Sequence, residues 1–213
     1  TPNDLVMINQ RRLHSTQWGM ICPIESPDGG NIGIKKHMTM LTHITFGCDS
    51  KPIIECLREN DIMYLDEINP RQIPIYTKIF VNGKWVGVHK KPKELTTSLR
   101  LLRRNGLINV FTSISWNVIE REINIQTDGG RLCRPLYIVE NNNLIINNNI
   151  MKDVKENKIE WSQLLVGLRK RKVPFDYYNC DYTCPIDIMD KSEQSNVRDF
   201  LKNNQGVLEI LDV

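Results

Sequence analysis

The sequence YTKIFVNGKWVGVH, residues 76–89, predicts a β-hairpin and sets the class of fold. Ile79 and Val81 alternate with other residue types before the pair Asn82-Gly83, and alternation resumes after that pair. Asn-Gly tolerates the positive φ angles of a tight two-residue turn. The stretch therefore predicts two antiparallel strands joined at Asn82-Gly83.

The next segment, residues 91–106, predicts an amphipathic helix. Pro92 suits the first turn of a helix, and Asn105-Gly106 supplies a stop at its C-terminus. Three leucines recur at helical spacing: Leu95, Leu99 and Leu102. This leucine stripe indicates the face that packs on a core.

Basic residues beside that stripe leave two interpretations open. Arg100, Arg103 and Arg104 form either a solvated basic face or a surface that meets phosphates or a protein. A later basic run, RKRK at residues 169–172, could likewise bind nucleic acid or keep a surface hydrated. Residue chemistry alone favours the solvated surface in both places.

The remaining segments complete the prediction of the fold. In order, they are a helix at 52–61, a loop at 65–74, two strands and a turn at 113–140, an Asn-rich linker at 141–150, a helix at 161–168, a helix at 194–206 and a strand at 207–213. The turn between the two strands falls at Asp128-Gly129-Gly130. Because Pro135 cannot donate a backbone hydrogen bond, part of the second strand is expected at a sheet edge or at a bend. The expected class is α+β, with mixed sheets and hairpins and several short helices.

Composition and charge narrow the class of protein. The 213 residues include 40% hydrophobic and 25% charged side chains, which is typical of a soluble globular protein of one or two domains. No run approaches the roughly 18 apolar residues of a membrane-spanning helix, and the first residues lack the pattern of a secretory signal. The net charge of +3 permits a polyanionic partner without requiring one. The missing initiator Met is what a piece of a longer chain would show.

Six cysteines are scattered along the chain. Cys180 and Cys184 could supply two ligands of a zinc site, but no second Cys or His pair follows at useful spacing. The favoured interpretation is free thiols in a reducing compartment, without disulfides. The sequence also lacks a phosphate-binding loop, a nucleophile elbow and an HExxH zinc motif. Local patterns therefore indicate no self-contained catalytic centre.

The stretch RRLHSTQWGMICPIESPDGGNIGI, residues 11–34, follows neither helical nor strand periodicity and predicts a shaped loop. Its two arginines followed by a histidine suit phosphate oxygens. Glu25 and Asp28 lie three apart in a proline-braced turn, where glycines let backbone N–H groups approach a partner. Two interpretations stand equal: carboxylates that hold basic residues facing a polyanion, or a buried turn whose ion pairs only fix its shape.

This loop resembles the fork region in the second-largest subunit of multisubunit DNA-directed RNA polymerases. Loops of that family run close to R-x-[LV]-H-x-x-x-[WY]-G-x-x-C-P-x-E-T-P-E-G-x-x-x-G. The matching positions here are Arg11, Leu13, His14, Trp18, Gly19, Cys22, Pro23, Glu25, Pro27, Gly29 and Gly33. The resemblance continues through FVNGKWVGVH, LRLLRRNGLI, IQTDGGRLCRPLYIVE and GVLEILDV, and is nearest to eukaryotic and large-DNA-virus enzymes.

The resemblance implies three parts of a larger multidomain subunit. They are the end of the fork region at residues 1–45, an external α+β domain at 46–140, and a linker, short helices and a closing strand at 141–213. The loop would border the active centre and the downstream DNA. The implied lining residues are Arg11, Arg12, His14, Glu25, Asp28, Gly29 and Asn31. Two features depart from the family: Ser26 and Asp28 replace Thr and Glu of E-T-P-E-G, and Arg12 stands where eukaryotic relatives often carry Gln.

The implied function is transcription of DNA into RNA by nucleotidyl transfer, with this chain as part of a subunit and inactive alone. No catalytic residue and no cofactor are expected in it, because the family's Mg²⁺ is held mainly by aspartates of the largest subunit. The implied partners are the largest and other polymerase subunits, the DNA template and the RNA product, with no membrane. The expected location is intracellular and reducing: the nucleus for a cellular enzyme, and the host cytoplasm or virion for a large DNA virus. The alternative is a stand-alone, polymerase-derived module that binds nucleic acid or transcription factors without catalysis.

Overall fold

A computed structural model describes residues 8–167, 176, 178, 181–189 and 196–212. The helices within these residues are α1 Ile8–Arg11, α2 Lys51–Glu59, α3 Pro92–Arg104, α4 Asn148–Lys155, α5 Trp161–Val166, α6 Pro185–Ile188 and α7 Val197–Asn204. The strands are β1 His43–Ile44, β2 Met63–Tyr64, β3 Thr77–Val81, β4 Lys84–His89, β5 Ser113–Asn117, β6 Glu122–Gln126, β7 Leu132–Tyr137, β8 Val139–Glu140, β9 Asn143–Leu144 and β10 Leu208–Asp212. The α+β class is confirmed. None of the described helices has the length and apolar character to cross a bilayer.

The predicted hairpin is confirmed and lies at the centre of a five-stranded sheet ordered β2-β4-β3-β6-β5. Asn82 and Gly83 have φ angles of 48° and 76°, as the tight turn requires. Strand β3 also pairs with β6 in parallel, which makes the sheet mixed. A register shift between Ile79 and Phe80 bends the hairpin.

Residues 113–140 hold more strands than the two predicted, so that count is wrong, but the predicted turn at residues 128–130 is present. It connects β6 to β7, which belongs to a separate three-stranded sheet ordered β1-β7-β10. Where the chain leaves the first sheet, Gly129 packs against the backbone of Gly47, and an added Cβ would come within 2.8 Å of the Gly47 nitrogen. The true antiparallel partner of β6 is β5, joined by a turn that the sequence analysis missed.

Pro135 lies on the central strand of the three-stranded sheet, but in a part of that strand that is open on one side, as the prediction of a partial edge requires. Strand β1 is only two residues long and pairs with Leu132 and Cys133. The flank of β7 beside Pro135 therefore has no partner strand in β1. A missing N–H costs no ladder hydrogen bond on such a flank.

The larger hydrophobic core lies between the five-stranded sheet and helices α2, α3 and α7. The predicted leucine stripe of α3 is confirmed, since Leu95, Leu99 and Leu102 are at most 3% exposed. Ile79 of β3 and Ile123 of β6 meet this stripe and are fully buried. Each such side chain contributes about 1.5–3 kcal/mol by leaving water. The sheet and α3 therefore form one packed unit.

A second core forms where α5 and β10 meet the Asn-rich segment. Asn141 and Asn142 have φ angles of 49° and 64° and make a two-residue turn between β8 and β9. The side chain of Asn147 accepts a hydrogen bond from the Ile150 N–H and caps α4. Asparagine tolerates both positions, so the segment interpreted as a linker carries a hairpin and a helix start.

Two of the basic residues on α3 bind a carboxylate of the closing strand instead of facing solvent or phosphate. The Arg103 side chain is 8% exposed and donates to Glu209 Oε1 and, at 2.6 Å, to the Thr112 carbonyl oxygen. Arg104 donates to Glu209 Oε2 at 2.7 Å. Both earlier interpretations of these two arginines are therefore wrong. Arg100 is exposed, as expected.

A second ion pair fastens the other end of β10. Arg131 Nη1 donates to Asp212 Oδ2 at 2.5 Å, and the Ser113 hydroxyl donates to Asp212 Oδ1 at 3.0 Å. Arg131 also donates to the Phe111 and Asp128 carbonyl oxygens, both at 3.0 Å. Together the two clusters tie β10 to α3, β5 and the 128–131 turn.

The buried Glu209 cluster predicts a pH dependence of stability. Burial alone would raise the pKa of Glu209, but Arg103 and Arg104 outweigh it and hold that pKa below its usual value of 4.5. Because the unfolded state then binds more protons, this contribution is complete above about pH 5 and is lost as pH falls through the lowered pKa. We expect the stability difference between wild type and Glu209→Gln, from urea unfolding at pH 3–7, to shrink on the acid side. A difference that does not vary with pH would contradict this.

The cysteines correct one expectation. Cys22, Cys56, Cys133 and Cys184 are free thiols, but Cys48 is disulfide-bonded, so the expectation of free thiols is wrong there. The backbone at Cys48 is held beside Thr127, since the Cys48 N–H donates to the Thr127 carbonyl oxygen at 2.8 Å. Burial raises the pKa of Cys56 to about 12, which keeps that thiol protonated. Cys180 and the RKRK run lie outside the described residues.

Candidate nucleic-acid interface

The loop at residues 11–34 is a folded surface structure with one deeply buried side chain, that of Met20, at 3% exposure. Short 3-10 turns at Ser15–Gln17 and Gly29–Asn31 replace regular periodicity. The loop then returns alongside itself, because the Cys22 N–H donates to the His37 carbonyl oxygen at 2.8 Å. The shaped loop predicted from the sequence is confirmed.

Arg11 fastens the two ends of this loop. Its Nη1 donates to the carbonyl oxygens of Gly30 at 2.8 Å and Ile32 at 2.9 Å. Gly33 lies directly on the Arg11 backbone, with φ at 71°, and its N–H donates to the Ser26 hydroxyl at 3.0 Å. The Arg11 guanidinium therefore holds the loop in shape from within.

Arg12 is exposed, in contrast to its neighbour. His14 follows and caps the first 3-10 turn, since its Nδ1 accepts from the Thr16 N–H at 3.3 Å and lies 2.7 Å from the Thr16 hydroxyl. The ring is exposed and its orientation is fixed by this cap. Arg12 is thus a cation free to meet a polyanion at the surface, beside an anchored imidazole.

The acidic residues of the loop lie at the surface and do not hold its arginines. Glu25 lies 3.9 Å from His37 Nδ1, with both side chains more than half exposed. Asp28 precedes the second 3-10 turn without capping it through its side chain. Among the described residues, neither carboxylate lies within 4.0 Å of an arginine or lysine nitrogen. Both interpretations of these carboxylates are therefore wrong: neither holds a neighbouring arginine or lysine among the described residues, and backbone carbonyls hold Arg11 instead.

Gly29 and Asn31 shape the second 3-10 turn. Gly29 has a φ of 76° and faces open space, so a partner's backbone or phosphate has room to approach. The Asn31 carbonyl oxygen accepts from the N–H groups of Ile34 at 3.1 Å and Lys35 at 3.3 Å. The structure thus gathers the seven predicted residues on one loop, with Arg11 directed inward and the others exposed.

Apolar side chains crowd the surface of this part of the chain. The exposed large hydrophobic residues within 8–46 are Ile8, Leu13, Trp18, Ile24, Ile32, Ile34, Met38, Met40, Leu41, Ile44 and Phe46. They make up half of all exposed large hydrophobic residues in the described chain. Exposed apolar side chains are thus more concentrated in residues 8–46 than in the rest of the described chain.

Sequence reasoning missed one contact of the loop. The Arg134 guanidinium of β7 lies over the Trp18 ring, 4.6 Å from its centroid. Gly19, with a φ of 72°, leaves the space for it, because an added Cβ would lie 1.8 Å from Arg134 Nη1. Trp18 and Arg134 both belong to segments that resemble the family, but nothing in the sequence indicates that the two side chains meet.

Two family models match the chain: RNA polymerase Rpb2, domain 3, over residues 3–44, and RNA polymerase Rpb2, domain 4, over residues 79–140. DNA-directed RNA polymerase II subunit RPB2 of Encephalitozoon cuniculi is 42% identical over 157 residues, which cover 74% of this chain and 14% of that protein. The chain belongs to the second-largest-subunit family of multisubunit DNA-directed RNA polymerases. The resemblance stated from the loop is thus confirmed.

Other relatives in the second-largest-subunit family are cellular and viral. The RPB2 subunit of RNA polymerase II from Schizosaccharomyces pombe is 46% identical over 132 residues, covering 62% of this chain and 11% of that protein. DNA-directed RNA polymerase subunit 2 of Acanthamoeba polyphaga mimivirus is 33% identical over 193 residues, covering 90% of this chain and 15% of that protein. The chain therefore spans only 11–15% of the length of these three relatives.

Proposed function

We propose that this chain acts within a DNA-directed RNA polymerase, a nucleotidyltransferase that transcribes DNA into RNA. The loop at residues 11–34 borders the active centre and the downstream DNA, and the remaining residues form structural and external surface. The proposed divisions are 1–45 for the end of the fork region, 46–140 for an external domain and 141–213 for the closing part. Membership of the second-largest-subunit family supports this function.

The observation that supports placing the loop beside the active centre and the DNA is its exposed surface. Its cation Arg12 and its apolar side chains face outward, while Arg11 holds the shape from inside. A polyanion and neighbouring subunits can therefore meet the same loop. We assign Arg12 to DNA phosphates and Arg11 to the positioning of the loop. His14, Glu25, Asp28, Gly29 and Asn31 complete the proposed lining.

The proposed partners are the largest subunit, the other polymerase subunits, the DNA template and the RNA product. The Mg²⁺ that such an enzyme uses for phosphoryl transfer belongs, in this proposal, to the largest subunit. Among the described residues of this chain, no group of three or more His, Cys, Asp and Glu side chains could hold a metal ion. The proposed location is the nucleus for a cellular enzyme, and the host cytoplasm or virion for a viral one.

The assembled polymerase tests the role of Arg12. Arg12→Ala is expected to lower the elongation rate about 3- to 10-fold at low salt, with a smaller effect at high salt, because one exposed phosphate contact is lost and such contacts are screened. Arg12→Lys keeps the charge and should retain most of the rate. The measurement is single-round transcription on a defined template.

Arg100→Ala is the matched control, since Arg100 is also exposed but lies on α3, outside the loop. It should transcribe at the wild-type rate. If Arg12→Ala also elongates normally at every salt concentration, the assignment of Arg12 to DNA phosphates is wrong.

A further inference from the structure

Trp18 is the most exposed large aromatic side chain in the described residues, at 77% exposure. Trp85 and Trp116 of the five-stranded sheet are partly buried, and Trp85 uses its ring N–H to donate to the Gly87 carbonyl oxygen at 2.9 Å. Burying a tryptophan in a core would stabilise the fold far more than leaving it in water. Trp18 therefore leaves a large aromatic surface open to a contact outside the described chain.

The position of this ring is fixed by the fold. Trp18 ends the 3-10 turn at Ser15–Gln17, and its N–H donates to the Ser15 carbonyl oxygen at 3.2 Å. The Arg134 guanidinium lies over the ring and is itself held on the central strand of the three-stranded sheet. Gly19 makes room for this stack. A rigid ring loses little entropy when it stacks on a ligand.

One cation is placed on the ring, and a second lies near it in the sequence. Arg134 lies on the ring itself, and Arg12 is exposed two residues before His14. His14 and Trp18 flank one 3-10 turn, which rises about 2 Å per residue, so they lie within about 8 Å of each other. An exposed aromatic ring beside basic side chains is the arrangement that binds single-stranded nucleic acid.

We propose that Trp18, backed by Arg134, is a stacking platform for one unpaired nucleobase at the surface of the loop. This inference rests on the proposed function and deepens it, since it gives the loop a ligand that duplex DNA does not offer. The base stacks on the ring, and Arg12 meets the phosphate of the same strand. A separated DNA strand and the RNA product share this chemistry.

The binding of fluorescein-labelled 12-nucleotide DNA and RNA to the full chain, followed by anisotropy, tests the platform. Trp18→Leu keeps an apolar side chain but removes the ring, and should weaken binding about 5- to 100-fold. Trp18→Phe should stay within about 3-fold of wild type. Trp161→Ala removes another exposed tryptophan, at 57% exposure and far along the sequence, and should change nothing.

Salt dependence separates stacking from charge. Trp18→Leu should lower affinity without changing the slope of log K against log salt, because no phosphate contact is lost. Arg12→Ala should reduce that slope by about 0.7 for a single strand. The tighter of the DNA and RNA oligonucleotides identifies the strand that supplies the base.

The proposal is overturned if the wild-type chain does not bind either single strand, if Trp18→Leu binds as wild type does, or if Trp18→Phe binds as weakly as Trp18→Leu. It is also overturned if duplex DNA of the same length shows the same loss with Trp18→Leu. None of these results affects the elongation assay of Arg12→Ala, so the proposed function and the platform can fail separately.

Discussion

Replacing Glu209 with alanine is expected to lower the free energy of unfolding by about 3–5 kcal/mol. The carboxylate, 18% exposed, is shared by Arg103 and Arg104, and its removal leaves the buried Arg103 guanidinium without an opposite charge. Because β10 is held through this group, its strand and the sheet beside β7 should loosen together. Urea unfolding followed by circular dichroism measures the loss.

Glu122→Ala is the matched control for this variant. Glu122 also pairs between two elements, accepting from Lys78 Nζ at 3.2 Å, but both side chains are about one third exposed. Such a pair contributes about 0–1 kcal/mol. Equal losses for Glu209→Ala and Glu122→Ala would show that the burial of the Glu209 cluster does not matter.

Gly33→Ala is expected to destabilise the loop by at least about 2 kcal/mol. Residue 33 has a φ of 71°, and an added Cβ would lie 2.4 Å from the Arg11 carbonyl oxygen, which is backbone and cannot move aside cheaply. Hydrogen exchange of the protected backbone amides in residues 26–36 should therefore quicken about 30-fold, while global stability changes little because the loop lies at the surface. Mass spectrometry of exchanged peptides from residues 26–36 measures this.

Gly30→Ala provides the comparison within the same loop. An added Cβ at Gly30 meets no atom within 4 Å, so exchange should stay at the wild-type rate. If both variants exchange alike, the close packing of Gly33 on Arg11 does not hold the loop. In the assembled polymerase, we also expect Gly33→Ala to slow elongation, because the loop loses its shape.

Elements with local determinants were predicted well from the sequence. The hairpin at Asn82-Gly83, the helix at Pro92–Arg104 and the last helix and strand depend on turn residues and on periodicity within a few positions. The loop at residues 11–34 was assigned by its motif, and the family of the chain follows the same residues. These elements and this motif depend on residues that are close together in the sequence, so the sequence is enough to predict them.

Errors arose where a residue's partner lies far away in the sequence. Arg103 and Glu209 are 106 positions apart, and nothing around Arg103 distinguishes it from the exposed Arg100. The residues of the turn at 128–130 do not indicate that Gly129 packs against the backbone of Gly47, or that the turn leads into a second sheet.

The sequence by itself determined the α+β class, the principal helices and hairpin, and the residue types of the loop. Only the tertiary structure decided which of two adjacent arginines faces inward, since Arg11 reaches the carbonyl oxygens of Gly30 and Ile32 after the loop has closed. It also placed Arg134 on Trp18. Backbone turns and periodicity act between near neighbours, whereas charge pairing and stacking act across space, between groups that only the folded chain brings together.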